Sequence, residues 1–198
     1  MIRWCLHATP CGVLRLGAFG GRLCLCDWAD VPARDFVVRR LERGLHVRFA
    51  EWPNERLRSG TGLPGIPAEP ESNFPDNPDD ADRCVLDRAV RQLDEYFAAQ
   101  RRVFDVPLLT VGTPFQRAVW ELLTTIPFGG TRSYAWLAAQ LGHPRAVRAV
   151  AAANRANALS IFIPCHRVVG SSGSLTGYAG GLAAKRLLLG LEQQPLLC

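Results

Sequence analysis

Residues 132–155 read RSYAWLAAQLGHPRAVRAVAAANR and contain two helix signals separated by a short turn. Ser133 can cap a helix over residues 134–141, because its hydroxyl can accept a hydrogen bond from an unpaired N–H of the first turn. Gly142 and Pro144 then turn the chain, and Pro144 opens a further helix that runs to about residue 155. A helix, a short turn with glycine and a second helix form the helix-turn-helix pattern. The sequence therefore predicts a helix-turn-helix unit in the second half of the chain.

The residues before this unit predict another helix. Residues 113–116 read TPFQ, a capping box in which Thr113 and Gln116 each bond the other's backbone N–H, with proline at the first helical position. This helix should end before Pro127. We therefore expect residues 108–198 to form a mostly helical domain.

The first half carries strand signals. Residues 11–28 indicate two short strands joined by a turn at Gly20 and Gly21, and a third strand is expected around residues 45–52. One helix is predicted over residues 33–43 and an amphipathic one from Asp79 onward. Residues 53–80 hold six prolines and three glycines and predict a surface loop. The expected fold is α/β, with a small N-terminal α+β domain over residues 1–107 that contains a short antiparallel sheet.

Composition narrows the class of protein. No apolar run approaches the roughly 20 residues that a membrane span requires, and the N-terminus has no extended apolar stretch typical of a signal peptide. The chain has seven cysteines, an odd number that favours free thiols over a disulfide framework. We therefore expect a cytoplasmic monomer that does not contact membranes.

Charge is distributed unequally between the two halves. Residues 1–100 hold 13 arginines against 15 acidic residues, whereas residues 101–198 hold nine arginines and one lysine against three acidic residues. The positive charge of the second half favours a polyanionic partner, although a solvated basic surface would have the same composition.

A candidate nucleophile lies in residues 161–170, which read IFIPCHRVVG. The apolar residues 161–163 predict a buried strand that delivers Pro164 and Cys165 to its end. A thiol beside an imidazole is a candidate nucleophile and base, because the thiolate is the reactive form. From spacing alone, an inert buried cysteine is the more frequent alternative.

Several segments resemble the O6-alkylguanine-DNA alkyltransferases, the family of methylated-DNA–protein-cysteine S-methyltransferases. Residues 164–168, PCHRV, match its active-site signature, and residues 112–120, GTPFQRAVW, are similar to the opening of its second domain. Residues 132–134 and 148–150 resemble its helix-turn-helix, and residues 177–181 and 185–192 resemble its closing loop and helix. The first half resembles the family only loosely.

The resemblance implies an enzyme of direct-reversal DNA repair. It would act on double-stranded DNA without a cofactor and move the alkyl group from O6-alkylguanine to Cys165, irreversibly and once per molecule; O4-alkylthymine is a further substrate that the family admits. His166 would take the thiol proton through a water, oriented by Glu192, and Asn157 would support the active-site turn. The family usually has proline after this asparagine, where this chain has Ala158.

The resemblance also assigns residues that contact DNA. The damaged base must leave the duplex to reach a buried thiol, and Arg148 would fill the space that it vacates. Tyr134 would crowd the neighbouring phosphate and later help to protonate the leaving guanine. Arg155, Ala149 and Ala152 complete the expected DNA-contacting set, since small side chains permit close approach but read few base edges.

The pocket for the flipped base would come from the closing loop and the signature segment. The residues that the resemblance implies for it are Val168, Tyr178, Ala179, Gly180 and Ser160. Some relatives have proline where this chain has Ser160, and a smaller pocket wall there would admit bulkier adducts.

We expect no metal site. The cysteines of the first half include no CxxC pair, and Cys24 and Cys26 on a strand should point to one face. Three other functions compete with repair: a non-enzymatic relative that only recognises alkylated guanine, a thiol hydrolase and a transcriptional regulator. In the first class the cysteine is replaced, a hydrolase needs an acyl site that is not evident, and a regulator would carry more base-reading side chains.

Overall fold

The computed structural model describes residues 1–29, 31–51 and 78–193. Most of the predicted loop over residues 53–80 lies outside these ranges. Residues 78–80 are described and already belong to a helix. The predicted loop end at residue 80 was therefore wrong, because the helix begins at Pro78, where proline suits a first turn.

The first half contains a four-stranded sheet in the order β3-β2-β1-β4. Its strands are β1 (Ile2–Thr9), β2 (Gly12–Phe19), β3 (Arg22–Trp28) and β4 (Phe49–Glu51). The predicted antiparallel pair is confirmed as β2 and β3, β1 pairs antiparallel with β2, and β4 pairs in parallel with β1. Gly20 and Gly21 have φ values of 59° and 70°, which only glycine adopts readily, so the predicted hairpin turn is confirmed. The sequence analysis did not identify β1.

A bulge in β3 separates the two cysteines that were expected on one face. Leu25 pairs with Gly17 and Leu23 with Ala18, so Cys24 between them has no partner in the ladder. Cys24 packs in a smaller cluster with Leu25, whereas Cys26 lies in the main core. The expectation was wrong because an extra residue shifts the strand's alternation.

The described ranges contain six α-helices. They are α1 (Asp35–Leu45), α2 (Pro78–Phe97), α3 (Pro114–Thr124), α4 (Tyr134–Gln140), α5 (Val147–Arg155) and α6 (Gly181–Glu192). The first starts later than predicted, because a 3-10 turn, Pro32–Arg34, precedes it. The helix α5 begins at Val147 because residues 143–146 form a turn closed by the Ala146 N–H on the His143 carbonyl at 2.8 Å. Two short strands, β5 (Arg132–Ser133) and β6 (Val168–Val169), pair in parallel.

Both predicted helix caps are present. The Thr113 hydroxyl accepts from the Gln116 N–H at 3.2 Å, and the Gln116 side chain accepts from the Thr113 N–H at 3.0 Å. The Ser133 hydroxyl accepts from the Trp136 N–H at 3.0 Å. These caps fix where α3 and α4 begin, and α4 and α5 form the predicted helix-turn-helix.

The strand predicted over residues 161–163 was wrong. This segment is a tight turn, in which Ile161 has a φ of 74° and the Ile163 N–H donates to the Leu159 carbonyl at 2.8 Å. The pairing with the sheet occurs earlier, where the Cys26 N–H donates to the Ala158 carbonyl at 2.7 Å. These apolar residues are buried but not extended. A short apolar run in the sequence does not distinguish a strand from another buried segment.

One hydrophobic core includes side chains from both halves of the chain. It contains Leu16 and Cys26 of the sheet, Leu93 of α2, Val150 of α5 and Leu188 of α6. Near the predicted domain boundary at residue 107, the Pro107 carbonyl accepts from the Leu23 N–H at 2.8 Å. The chain therefore lies along β3 as it enters the second half. No helix in the described ranges is long and apolar enough to cross a membrane.

The capping box gives a prediction for stability. Thr113→Ala should lower the free energy of unfolding by about 1 kcal/mol, because the Gln116 N–H loses its acceptor. Thr113→Ser keeps the hydroxyl and is the matched control. Urea unfolding measures both, and an alanine variant as stable as the serine variant would show that the cap contributes nothing.

Candidate active site

Cys165 begins a short 3-10 turn, Cys165–Arg167. An asparagine holds the segment of chain just before this turn. The Asn157 side chain donates to the Ile163 carbonyl at 2.9 Å and accepts from the Leu159 N–H at 3.0 Å. Asn154 of α5 also donates to the Cys165 carbonyl at 3.5 Å. Asn157 therefore fixes the turn that positions the thiol.

The Cys165 side chain is buried and protonated at rest. Its exposed fraction is 3%. Burial raises the pKa of the thiol, and the hydrogen bond with Asn157 and the positive charge of Arg34 offset this rise only in part. Because a thiol attacks as its thiolate, Cys165 needs a neighbouring base to become a nucleophile.

The Glu192 carboxylate, at the end of α6, is the centre of a buried hydrogen-bond network. Its Oε1 accepts from His166 Nε2 at 2.8 Å and from Arg167 Nη2 at 2.9 Å, and its Oε2 accepts from Arg167 Nε at 2.8 Å. Burial alone would raise the pKa of Glu192, but the hydrogen bonds from His166 and Arg167 outweigh it and lower the pKa to about 2. Glu192 is therefore ionised at neutral pH.

His166 is fully buried and uncharged. Burial lowers the pKa of its imidazole, more than the hydrogen bond with Glu192 raises it. Because Glu192 is ionised and can only accept, the neutral ring carries its proton on Nε2. Nδ1 is then unprotonated, and it makes no hydrogen bond with any residue in the described ranges. The ring can accept a proton at Nδ1.

Three members of this network were missed by the sequence analysis. They are Tyr96, whose hydroxyl donates to Glu192 Oε1 at 2.9 Å, Gly129, whose N–H donates to Oε2 at 3.1 Å, and Arg167. Arg167 stands inside the quoted signature and could have been considered as the partner of Glu192. For Tyr96 and Gly129 no local signal exists, since both lie far from residue 192 in the sequence.

A buried arginine of the first half, paired with an aspartate, also donates hydrogen bonds to the chain that leads into Cys165. Arg34 Nε donates to Asp27 Oδ2 at 2.8 Å, and the two side chains are about equally buried. The same guanidinium donates to the Asn157 carbonyl at 2.5 Å and to the Arg155 carbonyl. Arg34 therefore joins the N-terminal half to the end of α5 and to the turn that precedes Cys165.

Four of the five residues that were expected to contact DNA lie on the exposed face of α5. Arg148, Ala149, Ala152 and Arg155 are all exposed on α5. The opposite face of α5 is buried, and the Ala153 carbonyl accepts from Trp120 Nε1 of α3 at 2.8 Å. Tyr134 is half-buried at the start of α4, and burial raises the pKa of its hydroxyl, which bonds Thr176 and Asn154.

The expected pocket residues come from the segment around the signature turn and from the closing loop. Val168 and Ser160 are fully buried, and the Val168 carbonyl accepts from Lys185 Nζ at 2.5 Å. The Tyr178 ring lies 6.4 Å from the His166 ring, centroid to centroid. The Tyr178 and Ser160 hydroxyls are buried and make no hydrogen bond with a described residue. Both hydroxyls are therefore buried polar groups without a partner in the described part of the chain.

Trp28 of β3 covers the loop that holds Tyr178, Ala179 and Gly180. Its ring packs edge-on against Tyr178 at 5.9 Å. A Cβ atom on Gly180 would lie 2.2 Å from the indole, so only glycine fits at that position. In the described part of the chain, no group of three or more potential ligands could hold a metal ion.

Comparison with known proteins shows which family the chain resembles. The family model "6-O-methylguanine DNA methyltransferase, DNA binding domain" matches residues 114–194. A methylated-DNA–protein-cysteine methyltransferase of Methanosarcina barkeri is 52% identical over 108 residues, or 54% of this chain and 68% of that protein. A constitutive one of Bacillus subtilis is 53% identical over 109 residues, which cover 54% of this chain and just under two thirds, 66%, of the relative.

Solved structures cover nearly the whole chain. Mycobacterium tuberculosis O6-methylguanine methyltransferase superposes with a TM-score of 0.68 and 35% identity, over 98% of this chain and 93% of that one. Mycobacterium tuberculosis OGT in complex with DNA gives a TM-score of 0.69 and 34% identity, over 96% and 92% of the two chains. Fold and site thus define a helix-turn-helix protein with a buried thiol, imidazole and carboxylate. The chain belongs to the 6-O-methylguanine DNA methyltransferase family.

The Glu192 network predicts a specific acid sensitivity. The pKa of Glu192 in the folded protein, about 2, lies below its ordinary value of 4.5, so its ionisation stabilises the fold above pH 4.5. This contribution, about 3 kcal/mol, should be lost as the pH falls toward 2. In Glu192→Gln this part of the pH dependence should be absent, and stability at neutral pH should fall by roughly 3 kcal/mol or more, because Arg167 loses its partner.

Denaturant unfolding at a series of pH values measures both effects. Glu121→Gln, which removes an exposed carboxylate from α3, is the matched control. Equal acid sensitivity in wild type and Glu192→Gln would contradict the network described above.

Proposed function

We propose that this protein repairs O6-alkylguanine in double-stranded DNA by moving the alkyl group to Cys165, irreversibly and once per molecule. The observation that carries this proposal is the neutral His166, next to Cys165 in the chain, whose Nε2 is held by the ionised Glu192 and whose Nδ1 makes no hydrogen bond with a described residue. This arrangement suits the activation of a buried thiol. Membership of the family supports the same reaction.

The chemistry needs two proton transfers and one displacement. His166 Nδ1 accepts the Cys165 proton through a water, while Glu192 stabilises the imidazolium that forms. The Cys165 sulfur then attacks the alkyl carbon, and the bond between that carbon and O6 breaks. Guanine leaves with the electron pair and takes a proton from the Tyr134 hydroxyl, which burial keeps protonated. The product is a thioether, and no group in the proposed site would reverse it.

Access to Cys165 requires that the base leave the duplex. A side chain that is 3% exposed cannot reach a stacked base. In this proposal the exposed face of α5 lies against DNA, Arg148 fills the vacated stack, and Arg155 contacts phosphate. Ala149 and Ala152 allow the helix to approach closely without reading sequence, which suits an enzyme that must act at any damaged guanine.

The flipped guanine would be held by the closing loop. Tyr178, Ala179 and Gly180 stand on one side of the Cys165 turn, and the unpaired hydroxyls of Tyr178 and Ser160 can bond to it. Val168 would offer backbone groups to the base edge, and Lys185 fixes the position of its carbonyl.

We further propose that the protein acts as a monomer in the cytoplasm. Every proposed catalytic side chain belongs to one chain. All six cysteines in the described ranges are free thiols, a state typical of a reducing compartment.

Mass spectrometry after mixing with a duplex that contains one O6-methylguanine tests the reaction. The protein should gain a single methyl group on the peptide that holds Cys165, at no more than one per molecule. Cys165→Ser should gain none, and Cys84→Ser, which removes an exposed thiol, should react like the wild type. Tight binding to the damaged duplex without any mass change would indicate a lesion-recognition protein instead.

Arg148→Ala tests the flipping role. Loss of the wedge should slow the repair of duplex DNA by about tenfold or more, because flipping costs a few kcal/mol. Reaction with free O6-benzylguanine, which needs no flipping, should continue at the wild-type rate. Arg83→Ala on the exposed face of α2 is the matched control. Equal losses on duplex and free base would remove the wedge assignment.

A further inference from the structure

A tyrosine of the N-terminal half reaches the carboxylate of the proposed site. Tyr96 lies in the last turn of α2, and its side chain is 1% exposed. Its hydroxyl donates to Glu192 Oε1 at 2.9 Å. The same oxygen accepts from His166 Nε2 at 2.8 Å. One oxygen atom therefore joins α2 to the imidazole.

Aromatic packing holds the Tyr96 ring in this position. The ring lies 5.4 Å from Phe104 and 6.2 Å from Phe128, centroid to centroid. Phe128 in turn lies below the guanidinium of Arg167, at 5.8 Å. Because its neighbours fill the space around it, the hydroxyl cannot turn away from Glu192 without repacking of the core.

We propose that Tyr96 is a positioning residue for alkyl transfer, whose hydroxyl holds Glu192 in the orientation and charge state in which His166 presents an unprotonated Nδ1 to Cys165. The inference rests on the proposed function and adds to it a role for the N-terminal half. Tyr96 itself does not contact the reacting atoms.

Tyr96 and His166 bond the same oxygen, Glu192 Oε1, so loss of the Tyr96 hydroxyl should change the pKa of the imidazole in a predictable direction. A hydrogen bond to a carboxylate stabilises its charge. Without the Tyr96 hydroxyl, Glu192 becomes more basic and stabilises a protonated His166 more strongly. The imidazole would then gain a proton at a higher pH, and in that state it cannot accept the proton of the thiol.

The other charged and titratable groups around the site stay in place in this argument. They are Arg167 beside Glu192, Lys185, Cys165 and Tyr178 near the imidazole, and Cys11 near Tyr96. Burial raises the pKa of the Tyr96 hydroxyl well above its ordinary value. The hydroxyl therefore stays protonated, and remains a donor, at neutral pH and on either side of it.

Tyr96→Phe tests the proposal, because it removes the hydroxyl and keeps the ring. Single-turnover transfer from an O6-methylguanine duplex is measured between about pH 5 and pH 9. The acid limb of the profile should move up by as much as about one pH unit, and the loss of rate should be larger at acidic than at alkaline pH. NMR titration of the Glu192 carboxyl carbon should show the same upward direction.

Leu86→Val is the matched control, since it trims a buried side chain of α2 and leaves Tyr96, its aromatic neighbours and the hydrogen bond to Glu192 in place. It should keep the acid limb of the wild type. If the Tyr96→Phe profile keeps the wild-type acid limb and the carboxyl titration does not shift, Tyr96 is only a core residue and the proposal is overturned. A wild type that transfers no methyl group would overturn the proposed function instead, and the carboxyl titration would still decide the role of Tyr96.

Discussion

A carboxylate with an exposed fraction of 4% stands at the end of α6, and it is ionised. Removing such a charge from water costs several kcal/mol unless donors replace the lost hydration. For Glu192 those donors come from α2, from the loop after α3 and from the signature turn. Because each donor is itself held by the surrounding core, the orientation of His166 and the positions of three parts of the chain are set together.

The N-terminal half contributes to the site without supplying a reacting atom. It provides Tyr96 to the carboxylate, Arg34 to the carbonyls at the end of α5, and Trp28 to the loop of the proposed base pocket. The main core, which includes side chains of both halves, is consistent with this dependence. Burial raises the pKa of the Cys165 thiol. The thiol therefore depends on neighbouring groups, held in place by both halves of the chain, to become a nucleophile.

Local signals in the sequence were sufficient to predict the helix caps at Thr113 and Ser133 and the hairpin turn, because each depends on a few adjacent residues. The strand predicted before Cys165 was wrong, since burial and extension give the same apolar run and Asn157 closes the chain into a turn. The bulge at Cys24 was missed for a related reason, because register is decided by the partner strand. Of the network around Glu192, the resemblance indicated His166, whereas Tyr96 is distant in sequence and carries no local signal.

The central claim is that Glu192 holds a neutral His166 with its proton on Nε2 and with an unprotonated Nδ1 that can take the Cys165 proton. Nitrogen-15 NMR of the imidazole in the unreacted protein at neutral pH tests it most directly. The account predicts a neutral ring with the proton bonded to Nε2, and the loss of this single tautomer in Glu192→Gln. A ring with its proton on Nδ1, or an imidazolium at neutral pH, would contradict the account, because neither form can take the proton of the thiol.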